Sequence, residues 1–276
     1  MEFHTYTSPE EVLRKVETCL MKKEAENNLP LSILSNLSQN PCTTNELLFA
    51  IGMESDGFVL IIESSSGNLV LCGSEAYVKN AASWLYQSKK KVKIIRGCQP
   101  FVNLFIQAYK ETACIESNLT INQTIFRLDQ LEDILRSNGR LCFATEDDIA
   151  LITMWSQYFH RESGIVFSKK ELEHFVTDEI KRNRFFIWRN SRGTPVTMAK
   201  RANETKNGVA INYVYTPDEC RSQGYAITCV AALTERLLLE GYKFCTLYTN
   251  DDVPKGNLFE KVGYKPIAVY SQYSIR

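Results

Sequence analysis

The stretch NYVYTPDECRSQGYA, residues 212–226, decides the reading of the chain. An apolar strand ending Val214-Tyr215-Thr216 meets Pro217, and a polar loop of Asp218, Glu219 and Cys220 follows. Arg221-Ser222-Gln223-Gly224-Tyr225-Ala226 then leads into a helix with Ala226, Val230, Leu233 and Leu237 on one face. A loop entering a helix leaves the first backbone N–H groups unpaired, at the positive end of the helix dipole. That end is an anion site, and a phosphate suits it. Gly224 has no Cβ, so backbone and ligand approach closely. Arg221 adds a positive charge. The pattern is neither G-x-x-x-x-G-K-[ST] nor G-x-G-x-x-G.

Periodicity extends the reading in both directions. Downstream, Phe244–Thr249 reads as a strand, 255–262 as a short helix and 266–273 as a final strand. Upstream, helices are expected at 147–160 and 168–182, the second opened by Ser168 with Glu171 three residues on, a capping box. Arg184–Arg189, Pro195–Ala202 and Gly208–Thr216 read as strands. The N-terminal half repeats the order: helices at 9–26 (Ser8 as cap, Pro9 in the first turn) and 31–38, strands at 47–51, 58–63 and 69–72, a helix at 75–88, a strand at 92–96, a helix at 100–111 and a strand at 121–128. The fold class is therefore α/β with mixed sheets, in two domains: 1–128 and 143–276, joined by a linker at 129–142.

The form R-x-x-G-x-A after V-Y-T-P resembles the signature of the GNAT superfamily of acyl-CoA N-acyltransferases. Cys245-Thr246-Leu247-Tyr248-Thr249 is similar to the family's next strand. Phe259-Glu260-Lys261-Val262-Gly263-Tyr264 is similar to its L-Y-E-K-x-G-F ending, and Ala144–Asp148 followed by Trp155 to its opening helix. The resemblance covers about residues 141–276 and implies a GNAT fold there, preceded by a smaller, degenerate GNAT-like domain. It implies that the strand at 212–216 splays from the strand at 244–249, and that acetyl-CoA lies in the gap. Its pyrophosphate would rest on Arg221, Ser222, Gln223, Gly224, Tyr225 and Ala226, and its pantetheine arm on Val214, Tyr215 and Thr216. Asn250 and Asn257 stand near the family's pantetheine-binding Asn, whose own place falls on Asp252 or Val253. The implied partners are acetyl-CoA and a small-molecule or peptide amine, which attacks the thioester directly in a ternary complex.

The catalytic groups stay open. The family's proton-donating Tyr falls at Phe259, which has no proton to give; Tyr248, Tyr264 or water are the substitutes. His160 and Glu162 stand where the family builds its amine pocket. Glu204 falls in a polar loop, and Asn212 holds the place of a family Glu base but cannot itself act as one. Cys220 is the thiol whose pKa a nearby helix terminus would lower. Alternatively the protein is a non-catalytic CoA-binding or interaction protein. In the N-terminal half Leu69–Cys72 runs into Gly73-Ser74-Glu75, which places a carboxylate where a phosphate would sit, so no second CoA site is expected there.

Composition narrows the classes. The 276 residues are 44% hydrophobic and 23% charged, which excludes a disordered chain, a collagen or a coiled coil. Lys plus Arg and Asp plus Glu are each 32, so nucleic acid is not an expected partner, and Lys89-Lys90-Lys91 reads as a solvated turn. No apolar run reaches the roughly 18–20 residues of a membrane span, and the start does not read as a signal peptide. Nine cysteines at irregular spacing, without C-x-x-C, read as reduced thiols of a cytoplasmic protein. The three histidines show no metal-ligand spacing, so no metal is expected.

Overall fold

A computed structural model describes residues 1–39, 47–64, 66–162, 168–250 and 257–276; beyond residue 161, side chains are described again from 168. The chain divides into two compact units. One is Met1–Phe126 with Tyr248–Asp252 and Pro266–Arg276; the other is Arg127–Leu247 with Val253–Lys265.

The first unit opens with β1 (Phe3–Tyr6), then α1 (Pro9–Met21) and α2 (Asn28–Gln39). Ser8 caps α1, its hydroxyl accepting from the N–H of Glu11 at 3.2 Å. Strands β2 (Leu47–Met53), β3 (Phe58–Ser64) and β4 (Asn68–Gly73) form an antiparallel meander. Then follow α3 (Val78–Gln87), β5 (Ile94–Cys98, parallel to β4), α4 (Phe101–Ala113) and β6 (Ser117–Leu128). Both faces of the sheet are covered, as alternation requires. Val59 and Ile61 point to the core under α3 and α4, with Phe105 and Val102; Leu60 and Ile62 point to the core under α1 and α2, with Val12, Val16 and Leu34. These strands read as unbroken apolar runs because neither face meets water.

The second unit holds β7 (Gly139–Phe143), followed by α5 (Ile149–Glu162), α6 (Lys169–Lys181), β8 (Phe185–Asn190), β9 (Pro195–Ala202), β10 (Gly208–Tyr215), α7 (Tyr225–Leu239), β11 (Phe244–Asn250, counted here as far as Leu247) and α8 (Leu258–Val262). Ser168 and Glu171 make the expected capping box on α6. The strand order is β11-β10-β9-β8-β7, with only β10 and β11 parallel. On one face Trp155, Val176, Phe185, Ile187, Met198 and Tyr215 pack with α5 and α6. Phe186, of opposite parity, lies under Arg236 of α7.

Two expectations are corrected. The last strand, β12 (Lys265–Ile275), pairs antiparallel with β5, from Tyr270 opposite Cys98 to Ser274 opposite Ile94, so it is counted with the first unit and not with the C-terminal half. The expected linker 129–142 contains most of β7, an edge strand paired with β8 from Gly139 opposite Asn190 to Phe143 opposite Phe186. It is short, its first two residues, Gly139 and Arg140, are exposed, and the mostly polar run 129–138 leads straight into it, which disguised it as a connection.

Candidate active site

Three local features shape the end of β10. Its parallel pairing with β11 covers Gly208, Val209 and Ala210, opposite Phe244, Cys245 and Thr246. Toward β9 the register shifts between Asn212, opposite Lys200, and Tyr215, opposite Met198: a β-bulge. Tyr213 in the bulge has φ +52°, a left-handed conformation that costs a non-glycine residue roughly 1–2 kcal/mol. Bulges bend and twist a strand, here at the point where β10 leaves β11.

Packing holds the strained tyrosine. The Tyr213 ring stacks on Phe159 (centroids 4.9 Å) and Phe175 (5.7 Å) and meets Phe185 edge-on (5.5 Å). Its hydroxyl and His160 Nε2 share a hydrogen bond of 2.8 Å. His160 is buried, and burial lowers its pKa from the ordinary 6.5. A group whose folded pKa is depressed makes the unfolded chain the better proton binder, so stability is full above pH 6.5 and is lost as pH falls through the folded value. Thermal melts should therefore show Tm declining below pH 6.5, with a shallower decline in His160→Phe. An unchanged slope in that variant contradicts the assignment.

Beyond β10 the chain is pinned. Thr197 donates to the carbonyl of Tyr215 at 2.8 Å, and Arg221 Nε donates to the carbonyl of Thr216 at 2.9 Å. The Arg221 guanidinium also pairs with Asp218 at 3.0 Å and lies 5.9 Å from the Tyr215 ring centroid. Ser222 (φ +61°) and Gly224 (φ +77°) are both left-handed. Gly224 is the N-cap of α7, and no side chain caps the helix there. Helix geometry leaves the N–H groups of Tyr225, Ala226 and Ile227 without an intrahelical acceptor. These three residues border one cavity of about 400 Å³, together with Val214, Tyr215, Thr216, Cys220, Arg221, Ser222, Gly224, Leu258 and Phe259.

Most of the residues expected to hold acetyl-CoA thus surround one space. Gln223 does not border it: its side chain donates back to the Glu219 carbonyl at 3.1 Å, and its own carbonyl accepts from Ser137 at 3.0 Å. Asn257 caps α8, accepting from the N–H groups of Phe259 (2.8 Å) and Glu260 (3.2 Å). Asn250 accepts from Gln123 at 3.1 Å and does not border the cavity. Asp252, Val253 and the Glu162 side chain lie outside the described residues. Ile227 and Leu258 were missed by the sequence reading; apolar and without a motif position, they gave no signal.

The proton-transfer candidates are placed differently from expectation. Tyr264 is 1% exposed, its hydroxyl 2.8 Å from Thr234, and burial raises its pKa well above 10. It belongs to the core of the second unit. Tyr248 belongs to the first unit, donating to Asn28 at 3.0 Å. His160 supports the bulge. Glu204 accepts from Tyr242 at 2.9 Å and pairs with Arg201 at 3.2 Å. The Cys220 pKa is raised by burial and then by Glu219, opposite to the shift expected beside a helix terminus. Among the described residues no group of three or more His, Cys, Asp or Glu side chains is arranged to hold a metal ion, and no helix is long and apolar enough to cross a membrane.

The fold has known counterparts. An acetyltransferase of the GNAT family from Colwellia psychrerythraea superposes over 100% of both chains with a TM-score of 0.62 at 14% identity. The chain has the GNAT fold. A GCN5-related N-acetyltransferase from Sphaerobacter thermophilus matches over 99% of this chain and 95% of its own, with a TM-score of 0.63 at 12% identity. A tandem GNAT protein from the clavulanic acid biosynthesis pathway matches over 99% and 98%, with a TM-score of 0.58 at 9% identity. Residues 192–273 match the family model of FR47-like proteins. None of the curated protein sequences matches the chain. The FR47-like segment contains the whole of the cavity lining.

Proposed function

We propose that the protein transfers the acetyl group of acetyl-CoA to a primary amine. The observation that carries this reading is the uncapped N-terminus of α7, open to the same cavity as the free end of β10. Acetyl-CoA supplies the acetyl group as a thioester. The N–H groups of Tyr225, Ala226 and Ile227, with Arg221, would take its pyrophosphate. The backbone of Val214–Thr216, turned from β11 by the bulge, would align the pantetheine arm. The acceptor nitrogen then bonds to the thioester carbon as the C–S bond breaks; sulfur keeps the electron pair, and the ammonium proton passes to water.

Two chemical expectations follow. Release of CoA thiol should depend on an added primary amine; thiol release indifferent to amine would favour a CoA-binding protein without transfer. Phe259 borders the cavity at the place of the expected proton donor. A positioned general acid contributes about 10²–10⁴-fold where leaving-group protonation limits. Phe259→Tyr should therefore leave kcat unchanged or raised. A fall in kcat with an unaltered melting curve would show that the phenyl ring's packing is what the cleft requires.

A further inference from the structure

A second cavity, of about 660 Å³, lies in the same unit and shares Tyr215 with the first. One wall is a single face of α5: Met154, Tyr158 and Arg161, three or four residues apart, with Trp155 beside them. Met154 is 40% and Tyr158 44% exposed, an apolar face left uncovered on a helix whose other face is core. The aromatic side chains converge: the Trp155 and Tyr158 rings each lie 6.2 Å from the ring of Tyr215. The opposite wall is the loop Pro217–Glu219.

The charges on these walls are of both signs. Asp218 pairs with Arg221 at 3.0 Å. Arg161 and Glu219, one on each wall, form no ion pair with each other or with any other side chain among the described residues. A cation and an anion facing one space across an aromatic floor fit a ligand that carries both charges around an apolar body. We infer that this cavity is the acceptor site, and that the acceptor is a free α-amino acid with an aromatic or large apolar side chain. Arg161 takes the carboxylate, Glu219 takes the α-ammonium beside Tyr215, and Trp155, Tyr158 and Met154 take the side chain. This assignment of the acceptor rests on the transfer reaction proposed above, whereas its binding chemistry is testable alone.

The test is calorimetry on the full chain with three probes: L-phenylalanine, 3-phenylpropanoate and 2-phenylethylamine. Each single-charge probe lacks one charge-assisted contact, which is worth roughly 10-fold or more in affinity. L-phenylalanine should bind at least about 10-fold tighter than either. Arg161→Gln should weaken L-phenylalanine by a similar factor and leave 2-phenylethylamine unchanged; Glu219→Gln should weaken L-phenylalanine and leave 3-phenylpropanoate unchanged. Equal affinity for the three probes, binding of none of them, or indifference of L-phenylalanine to Arg161→Gln would overturn the inference. Failure of acetyl-CoA to bind in a separate titration would overturn the transfer reaction and leave the amino-acid result standing by itself.

Discussion

Gly224→Asp should abolish acetyl-CoA binding, with a loss of affinity beyond about 100-fold. The residue is left-handed at φ +77° and serves as the cap position of α7. A carboxylate there occupies the end of the helix that a pyrophosphate would use. Two like charges about 4 Å apart repel by roughly 4 kcal/mol at the effective dielectric of a protein surface, which is nearly a thousand-fold in affinity. The fold should survive. A Cβ at this position meets only Ser137 Oγ, at 3.0 Å, and aspartate is among the residues that tolerate a left-handed backbone. The cost to stability should be about 1–2 kcal/mol, a shift of a few degrees in Tm. Calorimetry beside a thermal melt separates the two effects: unchanged affinity in a folded Gly224→Asp protein removes the phosphate site from α7.

Ending the chain at Lys265 should unfold the first unit. Residues 266–276 supply a full partner strand to β5, and Tyr270 and Ser271 are buried in it. Tyr273 and Ile275 pack against the core under α3 and α4. Ser271 donates to Asn122 at 2.7 Å, and the N–H groups of Gln99 and Ile275 close backbone bonds to Val269 (2.9 Å) and Lys93 (2.8 Å). Truncating one large buried aromatic costs about 3–5 kcal/mol, and whole domains are stable by only about 5–15 kcal/mol. Losing Tyr270, a strand of hydrogen bonds and two further apolar side chains together exceeds that margin. Amide hydrogen exchange should show β2–β5 unprotected in the shortened chain. Native protection there would show that β12 is dispensable to the first unit. Tyr270→Ala alone should lower stability by about 3–5 kcal/mol, measured by urea denaturation.

The cleft residues were legible in the sequence because their chemistry is local. A glycine ahead of an amphipathic helix, after a strand and an arginine, specifies backbone geometry within six residues. The helices declared themselves in the same way, through Ser8 with Pro9 and Ser168 with Glu171. Non-local facts were not legible. Nothing in Lys265–Ile275 says that its partner is Ile94–Cys98, some 170 residues earlier, because an apolar strand pairs wherever a sheet offers an edge. Gly139–Phe143 looked like a connection because it is only five residues long and follows the mostly polar run 129–138. The role of His160 depends on Tyr213, a tyrosine in a conformation that sequence assigns to glycine or asparagine. Tyr264 looked available because a hydroxyl at a motif's end cannot be seen from sequence to be sealed against Thr234.

The same local chemistry separates the two units. In the first, β4 ends at Gly73, whose added Cβ would lie 2.3 Å from the carbonyl oxygen of Phe58, and a 3-10 turn beginning at Glu75 follows. The cavity beside it, about 650 Å³, carries Glu26, Glu54, Asp56 and Glu75 against Lys22 and Lys23. An excess of carboxylates repels a polyphosphate, and among the described residues no arginine borders the space. Titration of acetyl-CoA into the full chain therefore separates one phosphate site from two. One molecule should bind per chain, and none when residue 224 is aspartate; two per chain, or none to the unaltered protein, would place the phosphate site elsewhere than at α7 alone.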